Sequence, residues 1–568
     1  MRISRHLSGI IFLAAALMVA GCSDPSEGTG INVGKPNPSP SPNPGTGGTE
    51  EVAIPDYADD YSSIASWADH NKWNLANVHD PSIAYYDGYY YMYGTDASYG
   101  NEHLKASTGR HFPGKRSRDL VNWEYVSGPM NDAPAWVADS LTAIRARMGL
   151  DPVKNISYGY WAPVVRNIGD RLRMYYCIVI NNCIKTGSTD FDGSWGERAF
   201  IGMCESTDPA SGVWEDKGYI VCSSTDKGRD GWARPNANNW DGYFYYNAID
   251  PTYLVDDPSG KHYMIYGSWH SGFALLEIDP ESGKPVNAPL GEPWADSVED
   301  LTARYGIRVG TRTGGSRWQG SEAPEVIYKD GWYYLFMAYD GLDVPYNTRV
   351  VRSEKIEGPY YDITGRNFTN GRGDCYPIVT HPYRFDYSHG WVGISHCCIF
   401  PEQNGNGWFY SSQGRLPANV GGNAYSNAIM MGHVRRLVWA PASPDEPDNL
   451  WPIALPERYA AIPQTEITKD ELIGSWEHIN LVYSYANQQT SKQLVLKADG
   501  TMSGALSGTW TYDAAKKWLT FDVGGVKSVV CVEREADWEA TPRRATLVYA
   551  GVENKDSAPA TWWGKKVQ

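Results

Sequence analysis

Acidic residues recur at the start of a repeated strand–turn–strand pattern in the middle of the chain. Each copy begins with an acidic residue or alanine followed by proline, then has a β-rich run, a turn and an aromatic strand. The four copies begin at Asp80-Pro81, Ala162-Pro163, Asp250-Pro251 and Ala323-Pro324, and Glu322 stands directly before the fourth. Long repeats that each begin with two pairable strands are typical of propeller blades with inserted loops.

Three carboxylates should therefore meet at one end of the propeller axis. The innermost strand of every blade lines that axis, so we expect Asp80, Asp250 and Glu322 to converge on one cleft. Carboxylates that lie close together repel as anions, which raises the pKa of at least one of them. A protonated and an ionised carboxyl group are what glycoside hydrolysis requires. One Asp-Pro pair alone would more often be a turn, but three equivalent positions favour an active site.

The remaining sequence completes an all-β architecture. A looser fifth unit runs from His381 through GISH at residues 393–396 to WFY at residues 408–410. Helical periodicity is confined to a short stretch near residues 135–148. We predict a five-bladed β-propeller over residues 51–465, and a small C-terminal antiparallel β-barrel domain over residues 466–568. A parallel β-helix is the rival architecture, but its repeats are far shorter.

The N-terminal residues predict export and anchoring. Arg2 and Arg5 precede an apolar run that ends at VAGC, residues 19–22. Residues 1–21 therefore form a predicted signal peptide, and the VAGC motif resembles the bacterial lipobox, in which Cys22 is lipidated. Residues 22–50 form a flexible linker rich in Pro, Gly and Ser. We expect a lipid-anchored protein of the bacterial cell envelope, in the outer membrane or at the cell surface; an ordinary signal peptide is the alternative.

Charge and cysteine content exclude other classes of protein. The formal net charge is -16 and no basic block stands out, so nucleic acid is not an expected partner. Eight cysteines remain besides Cys22, and export would allow them to pair in many ways that the sequence cannot distinguish. The chain has no Cys-x-x-Cys pair, which argues against a structural zinc site. We expect a monomer.

Four short motifs, in this order and spacing, resemble glycoside hydrolase family 43. They are VHDPS at residues 78–82, NAIDP at 247–251, YGSWHSG at 266–272 and SEAP at 321–324. The YGSWHSG stretch is similar to one typical of the endo-acting arabinan-degrading members, and distinguishes them from xylosidases. The resemblance covers roughly residues 77–459, and the region after residue 466 resembles a C-terminal β domain of some endo-arabinanases.

The resemblance implies a five-bladed propeller that hydrolyses glycosides with inversion. Asp80 would be the general base, Glu322 the general acid, and Asp250 would raise the pKa of the acid and orient it. Inversion predicts that the carboxyl groups of Asp80 and Glu322 lie roughly 6.5–9.5 Å apart, leaving room for a water molecule. Many relatives carry Asp where this chain has Val164, so no acidic role is assigned to the second blade.

The resemblance also implies a metal site and a set of substrate-binding residues. His396 would bind one calcium ion near the axis through a largely water-filled shell, although calcium usually prefers oxygen ligands. Aromatic rings can stack on sugar faces, with packing between blades as the alternative. The expected substrate-binding residues are Tyr160, Trp161, Asn247, Ser268 and Trp269.

Three functions from different classes remain open at this point. The first is an endo-acting α-1,5-L-arabinanase that cuts arabinan, a side chain of pectin. The second is an exo-acting α-L-arabinofuranosidase or β-xylosidase, whose pocket would be closed at one end by loops such as residues 183–198. The third is a non-catalytic glycan-binding lipoprotein, against which the presence of all three carboxylates argues.

Overall fold

The structure is a computed structural model. It describes residues 54, 67–96, 110–147, 151–181, 199–223, 246–256, 258–269, 271–287, 298–313, 320–342, 344–405, 407–417 and 430–567. The predicted signal peptide, the predicted lipidation site Cys22, the predicted linker and the insertion at residues 183–198 lie outside these residues.

The described residues before position 455 form five antiparallel sheets of four strands each. The first sheet contains β1 (Ser82–Tyr86), β2 (Tyr89–Tyr93), β3 (Gly114–Ser117) and β4 (Glu124–Val126). The second contains β5 (Tyr158–Asn167), β6 (Leu172–Ile180), β7 (Ala199–Asp208) and β8 (Val213–Cys222). The third contains β9 (Thr252–Asp256), β10 (Lys261–Tyr266), β11 (Phe273–Ile278) and β12 (Ile307–Gly310). The fourth contains β13 (Ser321–Lys329), β14 (Trp332–Tyr339), β15 (Asn347–Ser353) and β16 (Ile378–Thr380). After the short strand β17 (Tyr383–Arg384), the fifth contains β18 (Cys398–Pro401), β19 (Trp408–Gly414), β20 (Met431–Ser443) and β21 (Glu446–Ala454).

These sheets are the five blades that the repeat predicts. Their innermost strands contact one another in the order β1, β5, β9, β13, β18 and back to β1, which closes the ring. The Asp-Gly turns form hairpins as expected: Tyr86 pairs with Tyr89 across Asp87-Gly88, where both turn residues have positive φ. Such turns match the twist of the flanking strands. The all-β, five-bladed prediction is therefore confirmed.

A ring of hydrogen bonds ties neighbouring blades together around the axis. In four of the five blades, one side chain of the innermost strand, or just at its start, accepts a bond from a backbone N–H of the next blade. The bonds run from Val165 to Ser82 (2.9 Å), Val326 to Thr252 (3.4 Å), Ile399 to Glu325 (3.0 Å) and Ile83 to Cys398 (3.3 Å). The fifth equivalent side chain is Val164, which is 3% exposed and packs in the core. Val164 therefore interrupts the ring.

An ion pair joins the second and fourth blades near the same axis. Arg166 donates from Nη2 to both carboxylate oxygens of Glu325, at 2.7 and 2.8 Å. Thr252 also donates to Glu325 at 2.6 Å, and Arg166 donates to Ser82 at 3.3 Å. Glu325 is only 3% exposed, so these partners take the place of water around its carboxylate.

Replacing Arg166 by methionine should destabilise the propeller by roughly 3–5 kcal/mol, because a buried carboxylate would lose its cation. Chemical denaturation followed by tryptophan fluorescence measures this loss. The matched control is Lys261→Met, which removes one partner of the exposed Lys261–Glu277 pair and should leave the unfolding midpoint almost unchanged. Equal midpoints for Arg166→Met and wild type would show that the axial pair contributes nothing.

Helices are few. The short periodic stretch of the sequence forms the helix Ala135–Arg147, and a second helix spans Val298–Tyr305. Within the described residues no helix combines the length and the apolar character needed to cross a bilayer.

A closed eight-stranded barrel follows the propeller. After a short helix at Lys469–Leu472, its strands are β22 (Gly474–Leu481), β24 (Lys492–Leu496), β25 (Thr501–Gly504), β26 (Gly508–Asp513), β27 (Trp518–Val523), β28 (Val526–Asp537), β29 (Arg544–Val552) and β30 (Thr561–Lys566). The intervening β23 (Gln489–Thr490) leaves the barrel and pairs in parallel with β17 of the propeller. The predicted C-terminal barrel is thus present.

The barrel and the propeller share one hydrophobic core. Ile453 and Trp391 of the propeller cluster with Val548 and Trp563 of the barrel. All seven cysteines among the described residues are buried free thiols, so none of them forms a disulfide here. The barrel is therefore packed against the propeller as part of one body.

Candidate active site

A bend of the same kind lies in or just before the innermost strand of every blade. The residue at the bend has a left-handed backbone conformation, which non-glycine residues seldom adopt. These residues are Asp80 (φ 46°), Ala162 (φ 41°), Asp250 (φ 55°), Ala323 (φ 54°) and His396 (φ 56°). Strained backbone at equivalent positions clusters at functional sites. The shared conformation turns the five segments in the same way and brings their bend residues to one end of the axis. His396 is therefore the counterpart of Asp80 in the fifth blade.

Asp80 is held by contacts from three other segments of the propeller. His396 Nδ1 lies 3.0 Å from Asp80 Oδ1, and Thr95 donates from its hydroxyl to Asp80 Oδ2 at 2.6 Å. The backbone N–H of Asp80 donates to Gln413 Oε1 at 2.6 Å. The same Thr95 hydroxyl accepts the backbone N–H of Ala162 at 2.6 Å, which links the first and second blades. The Asp80 carboxylate therefore has a fixed orientation.

The contact with His396 decides the charge of Asp80. Burial alone would raise the pKa of the Asp80 carboxyl, but the His396 imidazolium outweighs it and lowers the pKa to about 2. Burial lowers the pKa of His396, yet the charges of Asp80, Asp250 and Glu322 outweigh that effect and raise it to about 9. Asp80 is consequently an anion at neutral pH.

Glu322 lies in a cage of three hydrogen-bond donors. Trp269 Nε1 and the Ser268 hydroxyl donate to its Oε2 at 2.7 and 3.1 Å, and the Tyr346 hydroxyl donates to Oε1 at 2.7 Å. Ser268 is 1% exposed and Tyr346 is fully buried. The backbone of Trp269 also donates to Ser321 O at 3.0 Å. These contacts fix the direction of the Glu322 carboxyl group.

Glu322 and Asp250 are pushed toward the protonated state. Burial is the main cause of the raised pKa of Asp250, about 7, and the charges of Glu322 and Asp80 raise it further. Burial and the charge of Asp80 also raise the pKa of Glu322, against the hydrogen bond from Tyr346. Asp250 Oδ2 accepts the backbone N–H of Ala323 at 3.1 Å, next to Glu322 in the chain. The two carboxyls thus titrate as a neighbouring pair.

Two of the residues expected to bind substrate are buried. Tyr160 is 1% exposed, and its ring stacks on His111 at a centroid distance of 3.5 Å. Asn247 is fully buried, accepts a bond from Ser223 at 2.9 Å and donates to Ser268 O at 3.3 Å. Both side chains are buried in contacts with other residues, which favours packing for these two, and their role in binding substrate stays a prediction. The ring of Tyr160 and the amide of Asn247 contact other residues inside the propeller.

The other three expected substrate-binding residues lie at or near the carboxylates. Ser268 and Trp269 contact Glu322, as described above, and Trp161 is half-buried beside Ala162. Three further residues, Thr95, Gln413 and Tyr346, contact Asp80 or Glu322 and were not expected from the sequence. Gln413 lies on β19, whereas Thr95 and Tyr346 lie in loops that follow β2 and β14, and no local pattern in the sequence marks them.

A second acidic cluster lies between the barrel and the propeller. Single carboxylate oxygens of Glu457, Asp537 and Glu539 lie within 4.8 Å of one another, close enough for a metal ion. The Lys565 ammonium, however, contacts them at 3.1, 3.0 and 2.5 Å, and Glu477 at 3.8 Å. The lysine supplies the cation that these acids require, so the cluster fits an ammonium group.

Family models match two regions of the chain. The sequence profile of Glycosyl hydrolases family 43 matches residues 75–429. That of a C-terminal lipocalin-like domain associated with the same family matches residues 456–564.

Similar proteins extend over most of the chain. An extracellular endo-α-(1→5)-L-arabinanase of Thermotoga petrophila is 24% identical over 522 residues, covering 88% of this chain and 94% of the relative. A second such enzyme, from Bacillus subtilis, is 24% identical over 506 residues, covering 86% and 93%. The crystal structure of an endo-1,5-α-L-arabinanase from Thermotoga petrophila superposes with a TM-score of 0.63 at 22% identity, covering 87% and 99%. The fold is therefore shared along the whole propeller and barrel, and the family profile covers more than half of the chain: this protein belongs to glycosyl hydrolase family 43 and is a glycosidase.

Proposed function

We propose that this protein is an inverting endo-α-1,5-L-arabinanase that cleaves internal bonds of arabinan. The observation that carries the proposal is the opposite protonation of neighbouring carboxyls at one end of the axis. Asp80 is held ionised by His396, whereas burial raises the pKa of both Glu322 and Asp250. The relatives that match most of the chain are named endo-α-(1→5)-L-arabinanases, which supports arabinan as the substrate.

The proposed mechanism assigns one step to each side of the glycosidic bond. Glu322 protonates the leaving sugar oxygen, with its carboxyl group oriented by Trp269, Ser268 and Tyr346. Asp80 accepts a proton from the water that attacks the anomeric carbon from the opposite face. Asp250 keeps a proton within the Glu322–Asp250 pair at neutral pH, because two neighbouring anions repel.

Replacing Asp250 by asparagine should move the alkaline limb of the kcat/KM profile to lower pH. Glu322 must be protonated to act, so activity falls as pH rises through the pKa of the pair. Asparagine removes one negative charge beside Glu322, so the Glu322 carboxyl should lose its proton at a lower pH. A pH profile of initial rates on linear arabinan measures the shift. An unmoved or higher alkaline limb in the variant would contradict this role of Asp250.

A product time course on linear α-1,5-arabinan tests the proposed activity. Mixed arabino-oligosaccharides at early times would establish internal cleavage. Release of arabinose alone from the outset would agree with the family but would show that the enzyme is exo-acting. No product from arabinan, with activity on another glycan or none, would reject the proposed substrate.

A calcium ion beside His396 is a further part of the proposal. His396 uses Nδ1 on Asp80, which leaves Nε2 as its second ring nitrogen. A metal-binding imidazole commonly donates its other ring N–H to a carboxylate, so the neutral His396 ring fits such an ion; the imidazolium described above would have to release its Nε2 proton when the ion binds. Bound there, the ion would add positive charge beside the carboxylates.

Calcium should raise the unfolding temperature of wild type after EDTA treatment, because a ligand that binds only the folded state stabilises it. The His396→Ala variant should show no such rise. Equal responses of the two proteins in differential scanning fluorimetry would reject His396 as the ligand.

We also propose that the protein is a monomer anchored by lipid on Cys22 to the outer membrane or cell surface. The motif at residues 19–22 and the linker that follows support this. Fractionation of cells making wild type or Cys22→Ala tests it: the wild type should sediment with membranes and the variant should not. Recovery of the wild type in the soluble fraction would reject the anchor.

A further inference from the structure

We infer that Tyr483, a residue of the C-terminal barrel, is a positioning residue for the general acid Glu322, so that the barrel is part of the catalytic unit. The inference rests on the proposed function, because it needs Glu322 to act as an acid.

The barrel reaches the catalytic end of the fourth blade. Glu322 is near the start of β13, and its pairing partner Ala338 is near the end of β14. Asp340 follows β14 at this end. The Tyr483 hydroxyl, in the segment after β22, donates to Asp340 Oδ2 at 2.8 Å. The next residue, Ser484, donates its backbone N–H to His381 Nε2 at 3.1 Å.

The Tyr483–Asp340 contact belongs to a network that holds the chain just before Glu322. Arg312 donates to Asp340 Oδ1 at 2.8 Å and to Gly320 O at 2.5 Å. The backbone N–H of Asp340 also donates to Gly320 O at 2.8 Å. Gly320 is two residues before Glu322. A shift of Asp340 would therefore shift the start of the strand that carries the acid.

Tyr483 also supports the segment that carries Tyr346, which donates a hydrogen bond to Glu322. The Arg349 guanidinium lies over the Tyr483 ring at 5.5 Å and donates from Nε to Asn347 Oδ1 at 2.6 Å. Asn347 in turn donates to Pro345 O at 2.7 Å. Tyr346 lies between these two residues. Tyr483 thus contacts Asp340 directly and is linked to the residues on either side of Tyr346 through Arg349 and Asn347.

The test uses the full-length Tyr483→Phe variant, which keeps the ring and removes only the hydroxyl group. Two substrates are compared: linear arabinan, and an arabino-oligosaccharide with a 4-nitrophenyl leaving group. Nitrophenolate departs without protonation, so its release does not need a well-placed acid. We expect kcat on arabinan to fall about 3- to 10-fold with KM nearly unchanged, because a displaced catalytic group slows chemistry more than binding. Release of nitrophenolate should stay close to that of wild type.

The matched control is Tyr485→Phe. Tyr485 lies two residues further along the same segment and is 57% exposed. Loss of its hydroxyl should leave the rates on both substrates unchanged. The double variant Tyr483→Phe/Asp340→Ala should be no slower than Asp340→Ala alone, because both changes break one contact.

The outcomes separate the two proposals. An equal fall on both substrates, or no fall on arabinan, in an active wild-type background would overturn the positioning role alone. A wild type that releases no arabino-oligosaccharide would overturn the proposed function and this inference with it. Slower arabinan cleavage with nitrophenolate release retained supports the positioning role.

Discussion

Replacing Glu322 by glutamine should lower kcat/KM on linear arabinan by about 10²- to 10⁴-fold, the usual contribution of one general acid. Glutamine has the shape of glutamate and an oxygen that can still accept a hydrogen bond from Trp269 or Tyr346, but it has no acidic proton to donate. The loss should therefore fall on kcat, with polymer binding retained. Initial rates from reducing-end release, together with retention of the inactive variant on arabinan gels, measure the two effects.

The leaving group distinguishes loss of the acid from a general disturbance of the site. On a 4-nitrophenyl arabino-oligosaccharide, Glu322→Gln should recover most of its activity, since nitrophenolate departs without a proton. Ser321→Ala serves as a neighbouring control: its hydroxyl is buried and contacts neither Asp80 nor Glu322 in the described residues. If Glu322→Gln cleaved arabinan at near-normal rates, Glu322 would not be the acid.

Replacing Asp80 by asparagine should also lower kcat/KM by about 10²- to 10⁴-fold, but by similar factors for both leaving groups. The attacking water needs a base whichever group departs, and an amide cannot accept its proton. Asparagine can still accept the hydrogen bond from Thr95 at Asp80 Oδ2, so the site should keep its shape. Rates on both substrates, with the unfolding temperature recorded alongside, measure this.

The contrast between the two variants is the sharpest check of the assignment. If Asp80→Asn recovered its activity on the nitrophenyl substrate, Asp80 would be the general acid and Glu322 the general base. A Gln413→Leu variant offers a related comparison, because the Gln413 side chain contacts the backbone N–H of Asp80 and not its carboxylate. It should slow both substrates by a smaller factor than Asp80→Asn.

Local sequence rules predicted the blades because each hairpin is determined by neighbouring residues. The Asp-Gly turns at residues 87–88 and 330–331 both have the positive φ values that such turns require, and the aromatic strands after them pair in the expected register. The fifth blade lacks the proline of the others, yet His396 has the same left-handed backbone. Its position as the counterpart of Asp80 was visible in the chain only as a loose repeat.

The burial of Tyr160 and Asn247 could not be predicted from the motifs, for a physical reason. A motif shows which residues are close in sequence to the acids, but not which way a side chain points on a bent strand. The stacking of Tyr160 on His111 joins segments that are far apart in the chain. The two hydrogen bonds of Asn247 likewise reach residues more than 20 positions away. Such contacts carry no local signal.

The sequence by itself determined the five repeats, the barrel that follows them and the three carboxylates, since strands, turns and repeat spacing depend on residues near one another. Only the tertiary structure decided the charge of each carboxyl and its partners. The pKa values depend on burial and on His396, Thr95 and Tyr346, which come to the site from separate blades and loops. The contact of Tyr483 with Asp340, across 143 residues, exists only because the barrel packs on the propeller.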